Sequence, residues 1–420
     1  MTLDNRPLSV REQKTLRALD RAAGDLRRGE GVFVIDTVDG VARDQNDGEP
    51  AGNARGLLIF SLDHADAGTL ALIRRKDQHP GQLLLTGARA QALGLMSGSE
   101  EANSRSSDEK PGIMASGVGV FLPDSATLEW AQFVAMASWD AKQRSSLLHQ
   151  PLRSAGTAAL RLAKLAPCLP ALLAQDMTLE EADALVPGVL PIRAADAKLF
   201  HRLQARSLRR LGTTPVPLDG LGTVQFHMFR SSDGHEDHLA LEVGQRPAPR
   251  AGGALAPLVR LHSACLTGDI FHSAKCDCGP QLNGALAAMR EAGHGVLLYL
   301  AQEGRNIGLS NKLRAYLLQD VGLDTVDANR ALGYADDERD YEIAARMLEG
   351  LGFSGVRLMT NNPHKIAALT EAGVHVVEQV PLIAGVRPEN RRYLQTKAKK
   401  SGHILPDAAL DALEGPLKKG

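Results

Sequence analysis

Three of the chain's four cysteines stand in one stretch, "CLTGDIFHSAKCDC", spaced as Cys265, ten residues, then Cys276-x-Cys278. Thiolates are strong zinc ligands, and Cys-x-Cys puts two sulfurs on one ion if the backbone turns between them. Three cysteines leave a fourth position for water, as an open catalytic site requires. His262 or His272 in that position would close the site and make it structural. A redox pair with a spare thiol is the competing chemistry, and chance clustering the bland reading. Cys168 lies in an apolar helical context and reads as core.

Three further segments carry groups that suit an anionic ligand. "EGRNIG" is a glycine-punctuated turn between a buried strand and a helix, holding Glu303, Gly304 and Arg305. Such a turn exposes backbone N–H groups and a helix N-terminus, although a tight turn with a surface Arg–Glu pair has the same pattern. "YADDERDYEIAARMLEG" opens on a charge cluster in which Asp336 or Asp337 is a natural N-cap. The sharper reading there is an Asp–Arg pair where helix N–H groups favour phosphate. "RLMTNNPHKIAALTEAG" repeats the strand–turn–helix arrangement, with Pro363 in the first helical turn and Thr360 and Lys365 flanking it. Tyr316 lies near the stripe Leu309, Leu313 and Leu317 and reads by itself as core. The basic "NRRYLQTKAKK" lacks interleaved aromatics and reads as a solvated helix face.

The elements that must position these groups alternate. "TVQFHMFRS", "HLALEVG", "VRLHS", "GVLLYLA", "GVRLMT" and "VHVVEQVP" are strand-like, with helical segments at 280–292, 309–320, 338–350 and 364–372. That alternation predicts an α/β sheet covered by helices. In the N-terminal half, residues 11–30 form an amphipathic helical pattern through Leu16, Leu19, Ala22, Ala23 and Leu26. "GVFVID" and "GLLIFSL" read as strands, and 154–176 as a helix, a proline break and a second buried element. "MSGSEEANSRSSDEKPG" reads as a surface loop, and "SLRRLGTTPVPLDGLG" (207–222) as an interdomain boundary.

The chain's 420 residues are enough for two or three domains. Lys+Arg total 48 and Asp+Glu 49, a net charge of −1 that gives no pull toward nucleic acid or an anionic membrane. No apolar run approaches the ~20 residues of a membrane-spanning helix. The charged N-terminus has no signal-peptide core. Four cysteines do not make a secreted disulfide framework, so a reducing cytoplasm is expected.

"VRLHSACLTGDIFHSAKCDCGPQL", "QEGRNIGLSNKLRAY", "LGYADDERDY" and "LMTNNPHKI" occur in an order and spacing that resemble GTP cyclohydrolase II of riboflavin biosynthesis, from about Thr214 to Leu405. The resemblance implies a zinc enzyme with a mixed sheet covered by helices. It would hydrolyse GTP to 2,5-diamino-6-(5-phospho-ribosylamino)pyrimidin-4(3H)-one, formate and pyrophosphate, the first step of that pathway. By motif, Cys265, Cys276 and Cys278 match the zinc ligands, and Tyr316 the tyrosine of the ring-opening site. Asp337 and Arg339 match the base and the arginine that takes the α-phosphoryl group. Arg260, Leu261, His262, Ser263, Ala264, Gln281, Glu303, Gly304, Arg305, Thr325, Thr360 and Lys365 fall on GTP-binding positions. Mg²⁺ on the phosphates and a homodimer are also implied. Where many members read His-Ser-Glu-Cys, this chain reads His262-Ser263-Ala264-Cys265, so a carboxylate beside the first zinc ligand is missing.

The N-terminal half faintly resembles 3,4-dihydroxy-2-butanone 4-phosphate synthase. Its acidic metal-binding stretch is replaced by "IDTVDGVARDQN", and its His-Thr-Glu motif by Ala155-Gly156-Thr157. Two α/β domains are therefore expected: a degenerate, non-catalytic synthase-like domain (1–205) and a cyclohydrolase domain (206–405), followed by a peripheral tail (406–420). A bifunctional enzyme, and a nucleotide-binding regulator with a structural zinc, are the alternatives. The missing synthase groups disfavour the first, and the retained Tyr316, Asp337 and Arg339 disfavour the second.

Overall fold

The computed structural model describes residues 6–36, 52–74, 80–96, 117–137, 143, 145–234, 237–247 and 256–382. The counterpart of the acidic synthase stretch from residue 37 on, most of the Ser-rich loop, "NRRYLQTKAKK" and the 406–420 tail lie outside the described residues. The chain forms two compact units. One comprises Val10–Phe200 and Ser310–Glu338; the other comprises Met1–Ser9, His201–Leu309 and Arg339–Gly420.

The unit built on the N-terminal half contains a seven-stranded sheet. Its strands are β1 (Val32–Ile35), β2 (Arg55–Ser61), β3 (Gln82–Thr86), β4 (Gly117–Phe121), β5 (His149–Pro151), β6 (Ala171–Thr178) and β7 (Leu190–Arg193). The order is β5-β4-β3-β6-β2-β1-β7, antiparallel except for the parallel β1–β7 pair. In β2 every residue after Arg55 is buried, the run of apolar residues expected of a strand covered on both faces. The helix Val10–Arg28 turns Leu16, Leu19, Ala23 and Leu26 inward at helical spacing, as the sequence pattern predicts. The helix Ser154–Leu165 buries Leu160 and Leu162 together with Ala155, Gly156, Ala158, Ala159 and Ala163, small residues that let a backbone lie close to its neighbours. Asp36 closes its first turn, accepting from Ser154 Oγ and, at 3.0 Å, from Ala155 N.

The other unit contains a mixed seven-stranded sheet: β8 (Arg209–Leu218), β9 (Gly222–Arg230), β10 (His238–Gly244), β11 (Leu258–Ser263), β12 (His294–Leu300), β13 (Gly355–Met359) and β14 (His375–Val380). Its order is β14-β13-β11-β12-β10-β9-β8. The pairs from β14 to β12 are parallel and the rest antiparallel. Strand alternation sends Val259, Leu261, Val296, Leu298 and Leu300 to one face, against Ile343, Met347 and Leu348 of the helix Glu342–Gly350. Leu258 and Leu297 point to the other face, against Ala285 and Met289 of the helix Cys278–Glu291. Within the stretch read as an interdomain boundary, residues 209–218 form β8 and pair along β9, and the division between the two units falls just before it, between Phe200 and His201. Both units are α/β. Among the described residues no helix is long and apolar enough to cross a membrane.

Candidate active site

Strands β11, β12 and β13 are parallel, so their carboxyl ends share one edge of the sheet. The chain passes from β11 to β12 on one side, while β13 lies on the other. Ligands in α/β sheets bind at such switch points. The loops leaving this edge carry the chemistry-bearing motifs. Cys265–Cys278 follow β11, Gln302–Asn306 follow β12, and Thr360–Lys365 follow β13.

The sulfurs of Cys265, Cys276 and Cys278 lie within 4.8 Å of one another, the first two 3.8 Å apart. Among the described residues this is the one His/Cys/Asp/Glu group with metal-ligand spacing. Hydrogen bonds with Cys265 and then Cys276, ahead of burial, push the Cys278 thiol well up. Cys276 is also raised, first by Cys265. Three sulfurs this close cannot all ionise without a cation among them, so the donor set fits a thiophilic ion such as zinc. The fit has a steric condition at Gly268. A Cβ added there would stand 2.8 Å from Cys276 Sγ, 3.0 Å from Cys265 Sγ and 3.0 Å from Cys278 Cβ.

A buried carboxylate that the sequence reading did not single out organises this loop. Asp269, its side chain 3% exposed, meets His262 Nε2 at 3.0 and 3.1 Å. Its Oδ2 also accepts from Cys265 N at 3.1 Å and from Tyr299 Oη at 3.0 Å. The His262 and Tyr299 rings stack with centroids 5.6 Å apart, because β11–β12 register places them side by side. Burial, then the Asp269 charge, raises the Tyr299 hydroxyl and keeps it a donor. Neither His262, held by Asp269, nor the exposed His272 belongs to the three-sulfur group. The only sequence signals for this network were the Gly-Asp inside the cysteine loop and the tyrosine at the end of β12.

Arg260 is buried. Its Nη1 donates to Met359 O at 2.9 Å and its Nη2 to Gln281 Oε1, while Gln281 Nε2 donates to Asp277 Oδ2 at 2.5 Å. The Arg260 Nε is buried and has no partner among the described residues. Burial lowers this guanidinium to about 10, so it remains a cation at neutral pH. Lys365, also buried, donates from Nζ to Leu261 O at 3.2 Å. Thr360 Oγ1 accepts from Asn362 N at 3.0 Å, and Asn362 Oδ1 caps the helix Pro363–Glu371 through His364 N at 2.9 Å. Ser263 and Ala264 are half-buried, and Ala264 N donates to Leu300 O at 2.8 Å.

Glu303 ties the β12 loop to the cysteine loop, its Oε2 accepting from Leu266 N at 2.7 Å. Gly304, Arg305 and Asn306 are all left-handed, with φ of 65°, 63° and 73°. For the two non-glycine residues this backbone costs of order 1 kcal/mol or more each. "EGRNIG" is thus a strained left-handed turn before the helix Gly308–Asp320 rather than a simple entry into it. Arg339 lies over the Tyr341 ring, 5.5 Å from its centroid. The N-cap position expected at Asp336 or Asp337 is taken by Tyr341, which makes no side-chain cap bond, while Asp340 Oδ1, one residue before it, accepts from Glu342 N at 2.9 Å.

Tyr316, Thr325 and Asp337 belong to the unit built on the N-terminal half. Tyr316 is half-buried, with Lys312 Nζ 5.9 Å from its ring centroid. The stripe that suggested a core position is itself open: Leu313 is 46% and Leu317 69% exposed. Thr325 follows the N-cap Asp324, which accepts from Val326 N and Asp327 N. Asp337 is half-buried. Cys168 is buried as expected, and burial raises its thiol.

The family model of GTP cyclohydrolase II matches residues 209–381. A GTP cyclohydrolase-2 of Azospirillum brasilense is 41% identical over 405 residues, covering 94% of this chain and 95% of that protein. One of Escherichia coli (strain K12 / DH10B) is 56% identical over 198 residues, covering 47% of this chain and 98% of that protein. Among solved structures, RibBX, a two domain 3,4-dihydroxy-2-butanone 4-phosphate synthase from A. baumannii, shares 14% identity over 87% of this chain and 99% of that chain. Its TM-score is 0.30, too weak to argue from. The match to the A. brasilense protein runs over nearly the whole of both sequences, and the chain belongs to the GTP cyclohydrolase II family of enzymes.

Proposed function

We propose that this chain is a zinc-dependent GTP cyclohydrolase II acting in riboflavin biosynthesis. It converts GTP to 2,5-diamino-6-(5-phospho-ribosylamino)pyrimidin-4(3H)-one, formate and pyrophosphate. The observation that carries the reading is the convergence of the Cys265, Cys276 and Cys278 sulfurs at the carboxyl edge of β11. These three cysteines would hold zinc, which when bound would supply the Lewis acidity that makes water a competent nucleophile near neutral pH. Asp269 fixes the first ligand's backbone and the His262 ring, so the site keeps its shape.

Arg260, Lys365, Thr360 and Arg305 supply cationic and hydroxyl groups for a nucleotide, with Gln281, Glu303, Leu261, Ser263, Ala264, Gly304 and Thr325 on the remaining GTP positions. The unpartnered Nε of Arg260 supports an acceptor brought by the substrate. Tyr316 acts at the base. Arg339 takes the α-phosphoryl group: its nitrogen bonds to phosphorus as the bridging oxygen leaves with pyrophosphate. Asp337 receives the guanidinium proton, and water later cleaves the adduct. Mg²⁺ bound with the phosphates would help to neutralise the leaving charge.

Residues 206–405 are the proposed catalytic domain, residues 406–420 a peripheral tail, and residues 1–205 a synthase-like domain without its own activity. Asp36 supports the last point, since its carboxylate fills the helix start where the synthase motif would stand. A cytoplasmic homodimer is the proposed form. The test follows formate and pyrophosphate from GTP, with the zinc-loaded full chain and after chelation. Loss of formate release in Cys276→Ser is expected; wild-type turnover there refutes a catalytic zinc. The same chain is expected to form no 3,4-dihydroxy-2-butanone 4-phosphate from ribulose 5-phosphate.

A further inference from the structure

We infer that the N-terminal half is a positioning scaffold for the segment 310–338, with which it forms one compact unit. Its Lys164 and Asp63 clamp the segment 310–338, which carries Tyr316 and Asp337, through Glu338 and Arg314. The inference rests on the roles proposed above for Tyr316 and Asp337.

The first clamp holds the Asp337 turn. Lys164, near the end of the helix Ser154–Leu165, donates to Glu338 Oε1, and the two side chains are only 17% and 11% exposed. The same oxygen accepts from Ala335 N at 2.8 Å, closing the turn in which Asp337 sits. Without Lys164 the nearly buried Glu338 carboxylate would lose this ion pair and shift toward water, taking the turn with it. Next to it, Tyr334 is fully buried and donates to Cys168 O at 2.7 Å.

The second clamp holds the Tyr316 helix. Arg314 grips both oxygens of Asp63, at 2.6 and 3.2 Å, and Asp63 Oδ2 also accepts from Leu169 N at 2.8 Å. Asn311, one turn earlier, donates to Pro167 O at 3.0 Å. Arg314 and Tyr316 are two residues apart, roughly 200° around a helix. The face that is held is therefore not the face that carries Tyr316. Clamps on backbone turns and a helix face act on where Tyr316 and Asp337 stand, not on what they are, so their loss should appear in turnover rather than in GTP affinity.

The experiment uses the zinc-loaded full chain and formate release from GTP. Lys164→Met and Asp63→Asn should each lower kcat about ten-fold or more, with KM within about two-fold and zinc content unchanged. Lys164→Arg should recover most of the loss. Lys164→Met with Glu338→Gln should be no slower than the slower single variant. If Lys164→Met is insoluble, Asp63→Asn, a change of one atom, carries the test. Wild-type kcat in Asp63→Asn and any soluble Lys164→Met, or a change confined to KM or zinc content, overturns the inference. Tyr316→Phe and Asp337→Asn separate the two layers. If they keep full turnover, the proposed catalytic roles fail. If they lose it while the clamp variants do not, only the scaffold role fails.

Discussion

Gly268 offers a direct test of the cysteine centre. In Gly268→Ala the new methyl would stand 2.8 Å from Cys276 Sγ and 3.0 Å from both Cys265 Sγ and Cys278 Cβ. Ordinary contacts are about 3.5–4.0 Å, so at least one sulfur must retreat by about 1 Å. Gly268 is not in the left-handed region, so alanine can adopt its backbone and the cost is steric alone. Overpacking of this kind costs roughly 1–3 kcal/mol. For an ion that needs all three sulfurs, that is about 5- to 150-fold in affinity. The assay is competition for zinc with a chromophoric chelator, read beside formate release and thermal unfolding. Gly212→Ala, where a Cβ meets nothing within 4 Å, is the control and should change none of these. Wild-type zinc affinity and turnover in Gly268→Ala would refute both the steric argument and the three-sulfur ligand set.

Asp269→Asn should keep the fold but weaken the contacts to His262, Cys265 N and Tyr299, at roughly 1–3 kcal/mol. Lower zinc affinity and lower kcat together, by chelator competition and formate release, are expected. Arg339→Ala should stop pyrophosphate release, and release at the normal rate would remove it as the nucleophile. Glu242, between β9 and β12, accepts from His227 at 3.0 Å, His294 at 2.9 Å and Arg246 at 2.8 Å. Burial pushes its carboxyl up, but the bonds from His227, Arg246 and His294 outweigh it and hold it well below the usual range. A lowered folded value means stability that is present above the unfolded value of about 4.3 and lost as pH falls below it. Glu242→Gln should therefore be less stable at pH 7 and show a flatter loss of stability below pH ~4.5 by acid unfolding.

Much of the C-terminal fold was legible because strands such as β11, β12 and β13 are buried runs rich in apolar residues and helices such as Glu342–Gly350 carry an apolar stripe. Pro215, Pro217 and the three glycines of 207–222 look like loop punctuation, yet Arg209–Leu218 is a strand. In β8, at the sheet edge, prolines are tolerated and the residues are mostly exposed. The Asp336/Asp337 cap failed for a similar local reason. Several acidic residues precede the helix Glu342–Gly350, and only the packed structure places the N-cap at Tyr341, with Asp340 bonding Glu342 N beside it. Tyr316 shows the limit of a stripe: leucines at helical spacing read as core, yet Leu313 and Leu317 face outward.

The sequence by itself marked Cys265, Cys276 and Cys278 as candidate ligands, since type and spacing are local properties, and showed the alternation of strands and helices, since period is one too. Only the tertiary structure decided that Asp269 and Tyr299 organise the cysteine loop, and that segment 310–338 packs with residues far earlier in the chain. Asp63 and Arg314 are 251 residues apart, and Lys164 and Glu338 174. No local pattern encodes such pairs. They follow from burial, which leaves each desolvated charge and polar group to find its partner wherever the fold brings one.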